Sequence, residues 1–184
     1  MNPIEELKDE HRGIETALRV LESMAGRLDQ APNAELVRDG EALIDFFRTF
    51  SDACHHGKEE KLLFPALERI GVSRQGGPIG VMLAEHDQGR GHVRGMAAAL
   101  KSLQEDNPAA ARSFREHALA YIHLLRQHID KENRVLFQIA DQHLSDPAKQ
   151  ELAEQFEEVE QKIIGAGKHE QYHALLETLA ERYR

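Results

Sequence analysis

Tryptophan is absent from this 184-residue chain, and tyrosines number only three. With aromatics at 5% and Ala, Leu, Glu, Gln and Arg abundant, the composition favours helices over strands. There is one cysteine, Cys54, so no internal disulfide can form, and a reducing, cytoplasmic setting is expected. No run of 18 or more apolar residues occurs, and no basic segment leads into an apolar one. Neither a membrane span nor a secretory signal is therefore expected. Basic residues are outnumbered, 23 against 32, for a net charge of −9, which argues against nucleic acid as the main partner. Cys-x-x-Cys, a glycine-rich phosphate loop and Gly-x-Ser-x-Gly are all missing.

What is present is histidine, eleven in all. Two segments that carry it resemble each other. His55, Lys58, Glu59, Leu63 and Phe64 match His128, Lys131, Glu132, Leu136 and Phe137 at identical spacing. Residues four apart share one helix face, so each His-x-x-x-Glu aims an imidazole and a carboxylate at one point. These donors suit iron, zinc or manganese. The repeat extends upstream. Glu10-His11 lies 44 residues before His55, and Glu85-His86 lies 42 before His128. The chain thus reads as two helical hairpins, each with one His on its first helix and a His-x-x-x-Glu on its second.

Helical periodicity and stop signals place these residues. A first helix is expected from about Pro3 to Leu28, with Asn2 as its cap and His11 inside the apolar stripe. Ala31-Pro32-Asn33 breaks the chain. A second helix runs from Ala34 to Ile70, with Pro65 expected to kink it or tighten its last turns. After the loop 71–77, Pro78 opens a third helix to about Glu105, despite Gly89, Gly91 and Gly95. Asp106-Asn107-Pro108 caps a fourth, ending near His143. Ser145-Asp146-Pro147 starts a fifth, and Gly165-Ala166-Gly167 separates it from a short sixth.

His11 and His55 lie about 18 and 21 residues from the turn between their helices; for His86 and His128 the distances are about 19 and 20. In antiparallel hairpins, near-equal distances put residues at one level. Four His and two Glu can therefore share one layer of a four-helix bundle. The competing reading is a buried polar network without metal, which would need every member satisfied. Other motifs are weaker. His169-Glu170-Gln171-Tyr172-His173 matches the zinc-protease helix pattern but lacks a third ligand downstream. Ferritin-type bundles use Glu-x-x-His pairs, and only Glu170 with His173 fits. His92, His117, His123 and His143 have no ligand-like residue four positions on and read as bystanders.

Residues 4 to 141 resemble the hemerythrin-like family of HHE cation-binding domains, in its bacterial branch. The likeness rests on Glu10-His11, His55-His56-Gly57-Lys58-Glu59-Glu60, Glu85-His86 and His128-Ile129-Asp130-Lys131-Glu132-Asn133. It implies an all-α, up-down-up-down four-helix bundle, placed at residues 1–143; the fifth and sixth helices read above are expected as a C-terminal helical extension, 144–184, packed on it. It also implies a non-haem centre of two iron ions, bridged by carboxylates and an oxo or hydroxo group; zinc or manganese are the other metals that fit. His11, His55, His86 and His128 would be terminal ligands, with Glu59 and Glu132 as bridges. About two coordination positions would stay open to small ligands.

The chain departs from the oxygen carriers of that family. They have His-x-x-x-His on the third helix, where this chain has Arg90 four residues after His86. They also end with an Asp one residue further on than Glu132. Glu15, one turn after His11, and His56, offset around the helix from the main pair, are the candidate replacements for the missing ligand. Tyr121 faces the same way as His128 and is either a site residue or a packed one. Arg90 either holds a bridging carboxylate or an anion, or is a solvated charge. The function implied is handling O2, peroxide or NO, with catalase-like turnover as one form of it. The alternatives are a non-enzymatic iron or oxygen sensor and a metal store.

Overall fold

The computed structural model describes every residue except Met1, Ala31, Asp106, Pro108 and Ala166, and the side chain of Asp29. The chain breaks expected at Ala31, Asp106, Pro108 and Ala166 thus lie partly outside the described residues. The elements are α1 (Pro3–Gln30), α2 (Ala34–Phe46), two π-helical stretches π1 (Phe47–His56) and π2 (Glu59–Leu63), and α3 (Phe64–Arg69). They continue as α4 (Pro78–Gln104), α5 (Ala109–Lys131), a third π-helical stretch π3 (Glu132–Leu136), α6 (Phe137–His143), α7 (Asp146–Ile163) and α8 (Lys168–Arg182). No strand occurs among the described residues. The elements from α2 to α3 form one rod, and those from α5 to α6 another; with α1 and α4 they make the four-helix bundle.

Local chemistry sets the ends. Asn2 and Asn33 accept the backbone N–H groups of Ile4 and Leu36, each at 2.9 Å, and Ser145 caps α7. Pro78 and Pro147 sit in first turns, where no N–H is missed. The glycines of α4 let it approach α5. A Cβ at Gly95 would stand 2.4 Å from the His117 ring, and one at Gly89 would meet Tyr121 at 3.4 Å.

The π-helical turns were not anticipated. The Phe64 N–H reaches back to the Glu59 carbonyl, and the Phe137 N–H to the Glu132 carbonyl, five residues in each case. Pro65 is not the cause and does not break its rod, because the second repeat widens in the same place with Gln138 at the matching position. Both wide turns begin at the glutamates of the repeat, and such bulges concentrate at functional sites.

The apolar core has two parts. One contains Ile14, Leu18, Leu21, Phe47, Met96, Phe114 and Leu125. The other contains Ile4, Leu7, Phe64, Leu67, Ile79, Met82 and Phe137. Between them in sequence, on all four rods, sit buried His11, His55, Glu59, His86, His128 and Glu132. α8 adds Tyr172, Leu176 and Leu179 to the first part, and α7 adds Leu152 and Phe156 to the second. No helix among the described residues is long and apolar enough to cross a membrane.

Candidate metal centre

The four repeat histidines are held alike. Each ring points Nε2 inward and gives Nδ1 to a fixed partner. His55 Nδ1 lies 2.7 Å from Glu10, and His128 Nδ1 lies 3.0 Å from Glu85. His11 Nδ1 meets Asn133 at 3.0 Å, and His86 Nδ1 meets Glu60 at 2.7 Å. The partners are thus the residues just before the upstream histidines and just after the glutamates. A hydrogen bond at Nδ1 fixes the ring's orientation and leaves Nε2 as the donor to a metal. The matched phenylalanines cover the rings crosswise. Phe137 stacks on His11 at 5.2 Å, and Phe64 on His86 at 6.0 Å.

The matched lysines complete the frame. Lys58 Nζ donates to Glu10 at 2.6 Å and Glu6 at 2.7 Å, with Glu160 of α7 at 3.4 Å. Lys131 donates to Glu85. Burial alone would raise the Glu10 carboxyl, but the His55 and Lys58 cations outweigh it and hold its pKa near 2. The group Glu6, Glu10 and Glu160 has a metal-like spacing, but the Lys58 ammonium already stands among them.

Inward, Glu59 spans the layer. Its Oε1 lies 3.5 Å from His55 Nε2 and its Oε2 lies 3.4 Å from His86 Nε2. Glu132 Oε2 lies 3.3 Å from His11 Nε2 and 3.2 Å from His128 Nε2. Two overlapping donor groups result: His11, His55, Glu59 and Glu132, and His56, Glu59, His86 and His128. Within each, the donor atoms lie within 4.8 Å of one another. Both oxygens of Glu59 and of Glu132, and Nε2 of His11, His55 and His56, are buried without a hydrogen-bond partner. Each such group costs roughly 1–3 kcal/mol if left so. Seven of them converging on one layer suit bound cations far better than a polar network. Imidazole with carboxylate fits iron, zinc or manganese.

The electrostatics agree. Burial would depress His86 and His128, but the carboxylates around them, Glu59 and Glu60 for the first and Glu132 and Glu85 for the second, lift their pKa values to about 9 and about 10. His56 goes the other way. Its burial and the neighbouring His86 cation push it well below the usual value, so it stands neutral and ready to donate a lone pair.

The two candidate replacements separate. Glu15 is exposed and belongs to neither donor group, because four residues of α-helix turn a side chain about 40° and carry it off the buried stripe. His56 is buried, stacks on His86 at 3.9 Å, and joins the second group. The offset around an ideal helix does not apply in π1, where the wider turn brings His55 and His56 inside together. Arg90 is neither a solvated charge nor a partner of the inner glutamates. It clasps Asp52 at 2.9 Å and Glu60 at 2.7 Å, the carboxylates that hold His56 and His86. Tyr121 is buried with its ring edge against Phe47 at 5.0 Å, and burial raises its hydroxyl pKa.

The outer partners Glu10, Glu60, Glu85 and Asn133 and the two lysines were visible in the sequence only as repeat positions without a role. Of the bystanders, His92 and His117 pair across α4 and α5 at 3.3 Å, while His123 and His143 are exposed. His169 faces Glu160 at 2.9 Å, and neither it nor His173 enters a donor group. Cys54 is buried, which pushes its thiol up to about 12 and leaves it unreactive.

A cavity of about 190 Å³ reaches the second donor group from outside. Arg48, Asp52 and Phe47 form one wall, Gly89, Arg90, Val93 and Arg94 the other, with Tyr121 beside them and His56 and His86 at the inner end.

The family model for the hemerythrin HHE cation-binding domain matches residues 2–140. No curated protein matches the chain.

Proposed function

The chain belongs to the hemerythrin HHE cation-binding family, and from that premise we propose that it holds two iron ions and handles O2, peroxide or NO at them. One ion would be held by His11 and His55 and the other by His56, His86 and His128, with Glu59 common to both donor groups and Glu132 beside His11 and His128. The observation that supports this most is the set of buried, unpartnered donors arranged as two groups that share Glu59. Iron so held would supply electron transfer to and from a small oxygen or nitrogen ligand. The protein's own residues orient the donors through Glu10, Glu60, Glu85 and Asn133. They also exclude bulk water with stacked Phe64 and Phe137, and the cavity gives an approach beside His56 and His86.

His56 makes up the nitrogen donor that the third helix lacks, so a shortage of imidazole does not argue for oxidation. Solvent access does. The cavity opens beside His56 and His86, and reversible O2 carriage needs a protected ferrous pair. Spectra of anaerobically purified, iron-loaded protein before and after O2 and peroxide test the reading. The expected result is prompt conversion by O2 to a stable ferric form and consumption of added peroxide. A long-lived O2 complex that releases its ligand under vacuum, with peroxide untouched, would assign the protein as an oxygen carrier.

A second reading, a sensor, draws on one contact. Glu160 of α7 reaches Lys58, which holds the Glu10 that orients His55. Changes at the first donor group would then be felt in α7 and α8. Hydrogen exchange of α7 that is the same in ferrous and ferric protein would remove this reading.

A further inference from the structure

The cavity is graded from mouth to floor. Arg48 and Arg94 are exposed at its mouth, and no carboxylate pairs with either among the described residues. Arg90, deeper, is already bound by Asp52, Glu60 and Asp87, so those three carboxylates face a cation of their own. At the floor, His56 Nε2 is buried with no hydrogen-bond partner. A chain of net charge −9 repels small anions overall. Two free guanidinium groups at the entrance to one cavity reverse that locally.

We propose that this cavity is an anion-binding vestibule: Arg48 and Arg94 capture a compact monovalent anion, which then passes to the His56 side of the centre. The inference rests on the proposed metal centre only for the anion's destination. Its size follows from the volume. A cavity of about 190 Å³ has room for a ligand of a few heavy atoms, which suits nitrite, azide or a small carboxylate. Guanidinium recognises such ligands through paired N–H donors, and its charge raises their local concentration. Gly89 helps to keep the space open, since a Cβ there already meets Tyr121 at 3.4 Å. Neutral O2, NO and hydrogen peroxide gain nothing from the two arginines, so the vestibule adds small anions to the ligands the centre would take.

Two measurements test this. In iron-loaded ferric protein, azide association is followed by stopped-flow absorbance at low and high salt, with neutral hydrogen peroxide as the reference. The ratio of azide to peroxide rates should fall about tenfold in the Arg48→Gln/Arg94→Gln variant, and the salt dependence of the azide rate should flatten. An unchanged ratio overturns the proposal, as does an equal fall for both ligands, which would make the arginines steric. In bromide-soaked crystals of wild-type protein, anomalous diffraction should place a bromide between Arg48 and Arg94, and its absence there overturns the proposal. The bromide measurement needs no iron, so it separates failure of the vestibule from failure of the di-iron reading.

Discussion

The two halves of the centre grow from one repeated pattern and end in different surroundings. In the first, His55 is held by Glu10 and Glu10 by Lys58, and the lysine is fully buried beneath α7. In the second, His128 is held by Glu85 and Glu85 by Lys131, but that lysine is 40% exposed. Where the second repeat has Ile129, the first has His56, and where the second has Asn133, the first has Glu60. Both His56 and Glu60 lean across to His86; Arg90 holds Glu60 directly and His56 through Asp52. The repeat thus supplies a symmetric frame, and a few unmatched residues make one half sealed and the other reachable through the cavity.

Removing the metal should erase the comparison and give the largest effect. With free metal about 1,000-fold above Kd, binding stabilises the fold by about 4 kcal/mol, and its loss should lower Tm by roughly 10 °C in calorimetry. Equal melting of metal-free and iron-loaded protein would place the donors outside the core.

The lysines should separate the halves next. Lys58→Met leaves Glu10 and Glu6 facing each other without their shared cation, though Glu10 keeps His55, and should cost about 3 kcal/mol in urea unfolding. Lys131→Met removes a partly exposed pair and should cost under about 1 kcal/mol. Similar losses would mean that α7 does not seal the first half.

His56→Ile would make the first repeat match Ile129 and so remove the difference in donors. Metal titration should then show one of two binding steps weakened by at least about tenfold, with the other retained. Two unaltered steps would return His56 to a packing role.

Protonation gives the smallest signal. The metal-free pKa values of His86 and His128, about 9 and about 10, lie above the ordinary 6.5. Their stabilisation is therefore complete below about pH 6.5 and is lost as pH rises through 9 to 10. Metal needs both rings neutral, so loading at pH 7 should release protons and apparent affinity should rise with pH. Calorimetry in buffers of different ionisation enthalpy reads that release; a binding heat independent of buffer would contradict it.

The bundle was legible, and so was the burial of six repeat residues in one layer, because periodicity and spacing alone put His11, His55, His86 and His128 at one depth. His56 stood in the sequence only as a candidate with a poor angle, because an ideal helix turns it away from Glu59, and the wide turn of π1 brings it into the second donor group. The exposure of Glu15 was not legible, since it sits one turn after a ligand-like residue but at the rim of the stripe. Glu10, Glu85, Lys58 and Lys131 were present in the repeat as matched letters. Their meaning needed the third dimension, since each acts on a residue more than 40 positions away.

The central claim is a pair of cations that share Glu59, and metal content measures it most directly. Elemental analysis of protein purified anaerobically from iron-supplied cells should give two irons per chain, falling to one or none in Glu59→Ala while His169→Ala keeps both. One zinc per chain, unchanged in Glu59→Ala, would contradict the account.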